Sequence, residues 1–191
     1  ALMRSVPVIP VLVIDDVAQA RPIAEALVKG GLTALEVTLR TPAALEVIRE
    51  MTRVEGAVVG AGTVLNPRDL ENALGAGAEF IVSPGLTDPL TDAAKAADIM
   101  RGLDHGLDRF KFFPAEAAGG IKALKAHAAV FGAVRFCPTG GITEATAPDW
   151  LALPSVLCVG GSWVVKPGTP DPAAIEQAAR AAAGLRTGAH R

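Results

Sequence analysis

The chain is predicted to be an α/β protein built as a (β/α) barrel, and three observations carry that expectation. Short β-rich runs alternate with longer alanine-rich stretches along the sequence, the pattern of βα units around a parallel sheet. The β-rich runs are mostly apolar, as expected where both faces of such a sheet are covered. In Leu35-Glu36-Val37-Thr38-Leu39-Arg40 the two-residue period puts Glu36, Thr38 and Arg40 on one face, and an interior that accepts a Glu and an Arg suggests a barrel lumen with chemistry in it. A doubly wound dinucleotide fold also satisfies the alternation, but its glycine signature fails. After Gly60-Ala61-Gly62 the third glycine position holds Leu65.

Seven strands are expected, at residues 6–14, 34–40, 57–65, 80–86, 109–115, 134–139 and 156–159. Between them, residues 17–29, 42–53, 67–74 and 121–130 carry helix formers with apolar residues at turn spacing. Asp15, Thr41, Asn66 and Thr87 stand where helix starts want side-chain caps. Gly30-Gly31, Gly75-Ala76-Gly77 and Gly106 stand where helices should stop. A last helix over residues 171–185 closes the barrel in this reading. A complete barrel needs eight strands and typically about 250 residues, so one strand is missing from the count, between Phe80 and Arg109. That interval reads as two helical pieces, 88–97 and 98–104, run together without a glycine stop. The expectation is a seam of omitted residues at Ala96-Ala97-Asp98, with Cα atoms there farther apart than the roughly 3.8 Å of a trans peptide.

At 191 residues, half of them hydrophobic and 20% charged, the chain is expected to form one compact domain spanning residues 1–191 with a sizeable core. A formal charge of -2 with scattered Lys and Arg leaves no footprint for nucleic acid. Cys137 and Cys158 both fall in strand-like runs and read as reduced core thiols. The apolar opening, residues 6–14, is too short to span a bilayer and ends in Asp15-Asp16. A cytoplasmic location without membrane contact is therefore expected.

The chemistry gathers around Arg109-Phe110-Lys111-Phe112-Phe113-Pro114-Ala115-Glu116, where three of the six phenylalanines surround one ammonium. An apolar collar disfavours the charged form of a lysine and leaves some free amine able to attack a carbonyl. A strand-end lysine whose stem packs on the rings while its tip reaches water fits the same octapeptide. Glu36, a carboxylate on a lumen face, suits proton shuttling beside such an amine, although an ion pair with Arg40 would use it equally. Arg40 offers a planar fork for a substrate carboxylate, and Thr63 a hydroxyl beside it. Gly60 and Gly62 are expected to leave room for a ligand or for close packing. Pro138-Thr139-Gly140-Gly141 and Gly160-Gly161-Ser162 come after the last two strands, where barrels commonly hold a phosphate. The histidines are far apart, with His127 expected on a helix surface and His190 in a frayed tail. No residue cluster has metal-ligand spacing, so neither metal nor cofactor is expected.

Taken in order, Leu35 to Arg40, Gly60-Ala61-Gly62-Thr63-Val64-Leu65, Ser83-Pro84-Gly85, Phe110 to Glu116, Phe136-Cys137-Pro138-Thr139-Gly140-Gly141 and Gly160-Gly161-Ser162-Trp163 resemble the bacterial 2-keto-3-deoxy-6-phosphogluconate aldolases, which often also act on 4-hydroxy-2-oxoglutarate. The resemblance implies a class I aldolase on a (β/α)8 barrel, usually a homotrimer, acting on a small phosphorylated 2-keto acid without a cofactor. It implies Lys111 as the Schiff-base lysine and Glu36 as general acid and base, with Arg40 and Thr63 on the pyruvate carboxylate. Thr139, Gly140, Gly141, Gly161 and Ser162 correspond to the phosphate site, and Pro84 and Phe113 complete the substrate-binding set. The family's fifth strand, with its Pro-Gly-containing loop, lacks a counterpart where Ala97 meets Asp98. Two rival readings are an aldolase for the galactonate epimer and a barrel that binds phosphate without catalysis.

Overall fold

The computed structural model describes residues 2–85, 95–166, 168 and 170–185. Seven strands are present among them: β1 (Val8–Leu12), β2 (Ala34–Thr38), β3 (Val58–Gly62), β4 (Phe80–Val82), β5 (Arg109–Phe112), β6 (Arg135–Pro138) and β7 (Val159–Gly161). Every paired neighbour is parallel, in a five-stranded sheet ordered β4-β3-β2-β1-β7 and a two-stranded sheet of β5 and β6. Single bridges, Phe136 to Val156 and Thr139 to Gly160, join β6 to the β7 side. Among the described residues β4 and β5 do not pair with each other.

The helices are α1 (Ala20–Lys29), α2 (Ala44–Met51), α3 (Pro67–Gly75), α4 (Lys95–Asp104), α5 (Gly120–Val130), α6 (Ala147–Leu151) and α7 (Pro172–Ala183). Asn66 caps α3 through its side-chain oxygen, which accepts from the Asp69 amide at 2.9 Å. The stops are also as expected: Gly31, Gly77 and Gly106 take positive φ, where an L side chain would be strained. Asp16, one residue after the expected Asp15, caps the 3₁₀ turn Val17–Gln19 that leads into α1. Thr41 does not cap α2. Its hydroxyl donates instead to the Ile14 carbonyl at 2.7 Å, tying the loop after β2 to the loop after β1. Thr87 lies outside the described residues.

Two further expectations are corrected. No break interrupts the chain at Ala96-Ala97-Asp98, because α4 runs as one helix from Lys95 to Asp104. The absence of a glycine or proline at the supposed seam is simply what helix continuity requires. The last strand starts at Val159, not at residue 156, because Val8 pairs with Val159 and only an isolated bridge reaches Val156. The last helix packs its Ala179 against Gly30 at the end of α1 so closely that any side chain there would overlap it, and Lys29 pairs with Glu176 across the same contact at 2.7 Å. The last helix, expected over residues 171–185, is thus set against the first βα unit.

The core is continuous through the strands and the helix faces turned to them, with Trp150, Phe136, Leu12, Leu35 and Ile48 among its fully buried side chains. Each such side chain contributes about 1.5–3 kcal/mol relative to exposure. Both faces of β2 are buried along its whole length, which fixes the register that carries Glu36 and Thr38.

Candidate active site

Glu36 is the middle residue of β2 and only 4% exposed. Burying a carboxylate requires a partner, and Lys111 of β5 supplies one: its Nζ donates to Glu36 Oε1 at 2.9 Å. The pair spans the two sheets. Arg40 is not the partner; it is exposed, in the turn after β2. Period two carries Glu36 inward, whereas Arg40 lies beyond the strand, where the period no longer applies.

The expected collar of three phenylalanines reduces to one ring. Lys111 alternates with Phe110 and Phe112 along β5, so those rings leave by the opposite face. Phe110 packs onto Gly102 of α4, and Phe112 meets His127 of α5 at 6.0 Å, edge to face. His127 is therefore half-buried behind β5, not simply on the surface. His190 lies outside the described residues. Phe113 supplies the ring over the amine, its centroid 5.6 Å from Nζ.

Glu36, Lys111, Phe113 and Pro84 line one cavity of about 480 Å³ that also reaches Phe110, Phe112 and His127 of the β5 side. That volume suits a small organic acid. Thr63 stands one residue beyond Gly62, which is in register with Thr38, so Thr63 and Arg40 occupy the carboxyl ends of neighbouring strands. Thr63 has a φ of 62°, an outlier for a β-branched residue and the kind of strain that collects at functional sites. The glycines before it do not wait for a ligand. A side chain at Gly62 would overlap the Glu36 carboxylate, and one at Gly60 would overlap the Phe80 ring.

The two glycine loops lie side by side. Thr139 bridges Gly160, and a side chain at Gly160 would overlap that of Thr139, as one at Gly161 would overlap Trp163. Gly140 and Gly141 take φ of 100° and 79°, values open to glycine and strained for other residues. Ser162 is exposed just beyond them. These residues form a second patch, adjoining the cavity through Cys137, whose Sγ lies 3.9 Å from Thr139 Oγ1.

Cys137 pairs in register with Lys111 and so shares its face of the strands, while packing half-buried against the core as expected. A hydrogen bond from the Cys158 thiol, then the charge of Lys111, hold its own thiol below the usual range, against its burial. Cys158 is pushed well above that range, first by donating to Cys137 and then by burial. Both are free thiols. Among the described residues no group of three or more His, Cys, Asp or Glu is arranged to hold a metal ion.

A half-buried lysine in contact with a buried carboxylate, facing a cavity of substrate size beside two glycine loops, is an arrangement able to form an imine with a carbonyl compound. The model of the family described as KDPG and KHG aldolase matches residues 1–178. This chain belongs to that aldolase family. It is 59% identical to the 2-dehydro-3-deoxy-phosphogluconate aldolase of Zymomonas mobilis over 201 aligned positions, covering 99% of this chain and 97% of that protein. Identity to the KHG/KDPG aldolase of Escherichia coli strain K12 is 52%, over 86% of this chain and 84% of the relative. The crystal structure of the 2-keto-3-deoxy-6-phosphogluconate aldolase of Z. mobilis ZM4 with 3-phosphoglycerate superposes with a TM-score of 0.93 at 58% identity, over 98% of this chain and 96% of that one. The aldolase of Legionella pneumophila, holding pyruvate as a covalent carbinolamine intermediate, reaches 0.91 at 41% identity, over 96% and 97%.

Three residues in contact with the groups of this candidate site were not given that place by the motif reading. Gly62 was legible only as space, because its neighbour is a side chain from the next strand. Cys137 reads as apolar until strand pairing turns it toward Lys111. Glu116 closes the lysine motif in sequence, but its partner Trp150 comes from α6, a five-residue helix too short to show periodicity.

Proposed function

We propose that this chain is a class I aldolase that cleaves 2-keto-3-deoxy-6-phosphogluconate to pyruvate and glyceraldehyde 3-phosphate. The contact of Lys111 Nζ with Glu36 at 2.9 Å, inside the cavity, is the observation that carries the reading. Moving the ammonium proton across that contact leaves a neutral amine and a neutral acid, so no net charge is buried when the nucleophile forms. The amine adds to the C2 ketone to give a carbinolamine. Loss of water gives a protonated imine, which draws electrons from C3.

Glu36, again a carboxylate, then takes the proton of the C4 hydroxyl, directly or through one water. The C3–C4 bond breaks, its electron pair forming the enamine, and C4 leaves as the aldehyde. Glu36 returns the proton to C3 of the enamine, and water releases pyruvate from Lys111. Arg40 and Thr63 hold the carboxylate of the 2-oxo acid, and Pro84 and Phe113 wall the three-carbon unit beside the amine. Thr139, Gly140, Gly141, Gly161 and Ser162 hold the distal phosphate through hydroxyls and backbone amides, so that binding energy remote from C3–C4 orients the scissile bond.

The scaffold of this reading is a single domain of the (β/α)8 class, with seven strands among the described residues. Traced through pairs and bridges, the strands run β4-β3-β2-β1-β7-β6-β5, the cyclic order of a barrel with one junction, β4 to β5, unpaired among the described residues. A cytoplasmic location, in keeping with the free thiols, and the homotrimer that the family resemblance implies complete it; no described helix is long and apolar enough to cross a membrane. Light scattering on the purified protein tests the trimer. The activity is tested by supplying the phosphogluconate-derived substrate, its galactonate epimer and 4-hydroxy-2-oxoglutarate side by side, with coupled pyruvate detection. The first should turn over fastest and the last measurably; absence of pyruvate from all three would refute the assignment.

A further inference from the structure

Glu116 sits five residues past Lys111, against the Thr139–Gly141 loop of the phosphate cradle. Its carboxylate Oε1 accepts a hydrogen bond from Trp150 Nε1 at 3.1 Å. Trp150 is fully buried, and an indole N–H only donates, so an acceptor has to be brought to it. The stem of Glu116 lies under Gly141, where a Cβ would be 2.8 Å from both its Cβ and its Cγ. Its backbone amide donates to the Gly140 carbonyl at 3.1 Å, and the preceding Ala115 amide to the Thr139 carbonyl at 2.7 Å. The Thr139–Gly141 turn is thus held on its backbone by residues 115 and 116, and on its far side by α6 through Trp150.

We infer that Glu116 is a positioning residue for the phosphate loop. It ties the loop after β6 to the segment that carries Lys111, fixing the distance between the amine and the distal phosphate, and it acts through Gly141 and Trp150 without touching substrate. The inference rests on the phosphate reading of Thr139 to Gly141 and Ser162. It also explains the residue type. A side chain with two carbons of stem and an sp² oxygen reaches Trp150 from beneath Gly141, and glutamine has the same reach and the same acceptor. The role therefore belongs to shape and to the accepted hydrogen bond, not to the negative charge, which would oppose a phosphate dianion.

The test compares Glu116→Ala, Glu116→Gln and Ser162→Ala on the phosphorylated substrate and on unphosphorylated 4-hydroxy-2-oxoglutarate. Glu116→Ala should raise KM for the phosphorylated substrate by about tenfold or more, with kcat/KM on the unphosphorylated one within about threefold of the parent protein. Glu116→Gln should restore the phosphorylated KM to within about threefold. In ¹⁵N spectra the Trp150 indole N–H resonance, assigned by its loss in Trp150→Phe, should move on titration with inorganic phosphate in the parent and in Glu116→Gln. If Ser162→Ala loses phosphorylated substrate selectively and Glu116→Ala does not, the positioning role is overturned while the phosphate reading stands. If neither variant distinguishes the substrates, the phosphate reading itself falls. A Glu116→Gln variant whose KM for the phosphorylated substrate rises about tenfold or more over the parent would show that charge matters and would also overturn the inference; that arm stands even if the alanine variant fails to fold.

Discussion

The wall of β1, β2 and β3 and the wall of β4 and β5 are built to different standards. All five residues of β2 are buried, and β3 is nearly so. In β4 all three are only half-buried, and β5 runs from an exposed Arg109 to a buried Phe112. Glu36 comes from the first wall and Lys111 from the second. Glu36 is thus placed by packing, with Gly62 leaving just enough room for its carboxylate. Lys111 is placed by the chain just beyond it, where the Thr139 amide donates to the Phe112 carbonyl at 2.9 Å and the Ala115 amide donates back to the Thr139 carbonyl. Where rigidity cannot come from burial on both sides, it comes from loops stitched across strand ends.

The largest effect should come from the loosely packed wall. Lys111→Ala removes the nucleophile and should lower kcat on the order of 10⁴-fold or more, with the fold unchanged by circular dichroism. A variant retaining a tenth of parental turnover would mean that another group carries the chemistry. Next comes Gly62→Ala, which places a methyl where the Glu36 carboxylate lies. Turnover should drop by about 100-fold, because a displacement of about an ångström at a proton-transfer group costs that much. Unchanged kcat would show that Glu36 is not held there during reaction.

The contrast between walls should also appear in stability. Leu35→Ala on β2 should cost about 2–5 kcal/mol in urea unfolding, and Ile81→Ala on β4 only about 1 kcal/mol, since a half-exposed side chain has less transfer energy to lose. Equal costs would mean that the β4 side is as tightly closed as the other. The smallest expected effect distinguishes the two thiols. Cys137, held low by Cys158 and Lys111, should be alkylated by iodoacetamide at least about tenfold faster than Cys158, by peptide mass spectrometry. Its rate should rise with pH as its thiolate forms, and bound pyruvate should slow it. Preferential labelling of Cys158 would reverse the assignment of the lowered thiol.

Much of this was legible in sequence because local chemistry decided it. Glu36 and Thr38 are set by strand period, Asn66 by cap chemistry, and Gly31 and Gly77 by helix stops. The phenylalanines around Lys111 misled because sequence adjacency in a strand is the opposite of spatial adjacency: nearest neighbours face away, and the ring over the amine belongs to Phe113, just past the strand end. Arg40 misled in the same way, since the alternation that placed Glu36 ended at Thr38. Strand bounds ran long at nearly every element because apolar residues continue into the loops that seal the sheet ends. The contacts of Gly62 with Glu36, and of Glu116 with Trp150, are tertiary, and no local pattern announces them.

The central claim is that Lys111 is the amine that captures a 2-oxo acid. Incubation with pyruvate and borohydride, with peptide mass spectrometry of the product, reads it directly. A stable pyruvate-derived mass on the peptide containing Lys111, absent without pyruvate and lost in Lys111→Ala, is the expected result. Unlabelled protein, or the adduct on a different lysine, would contradict it.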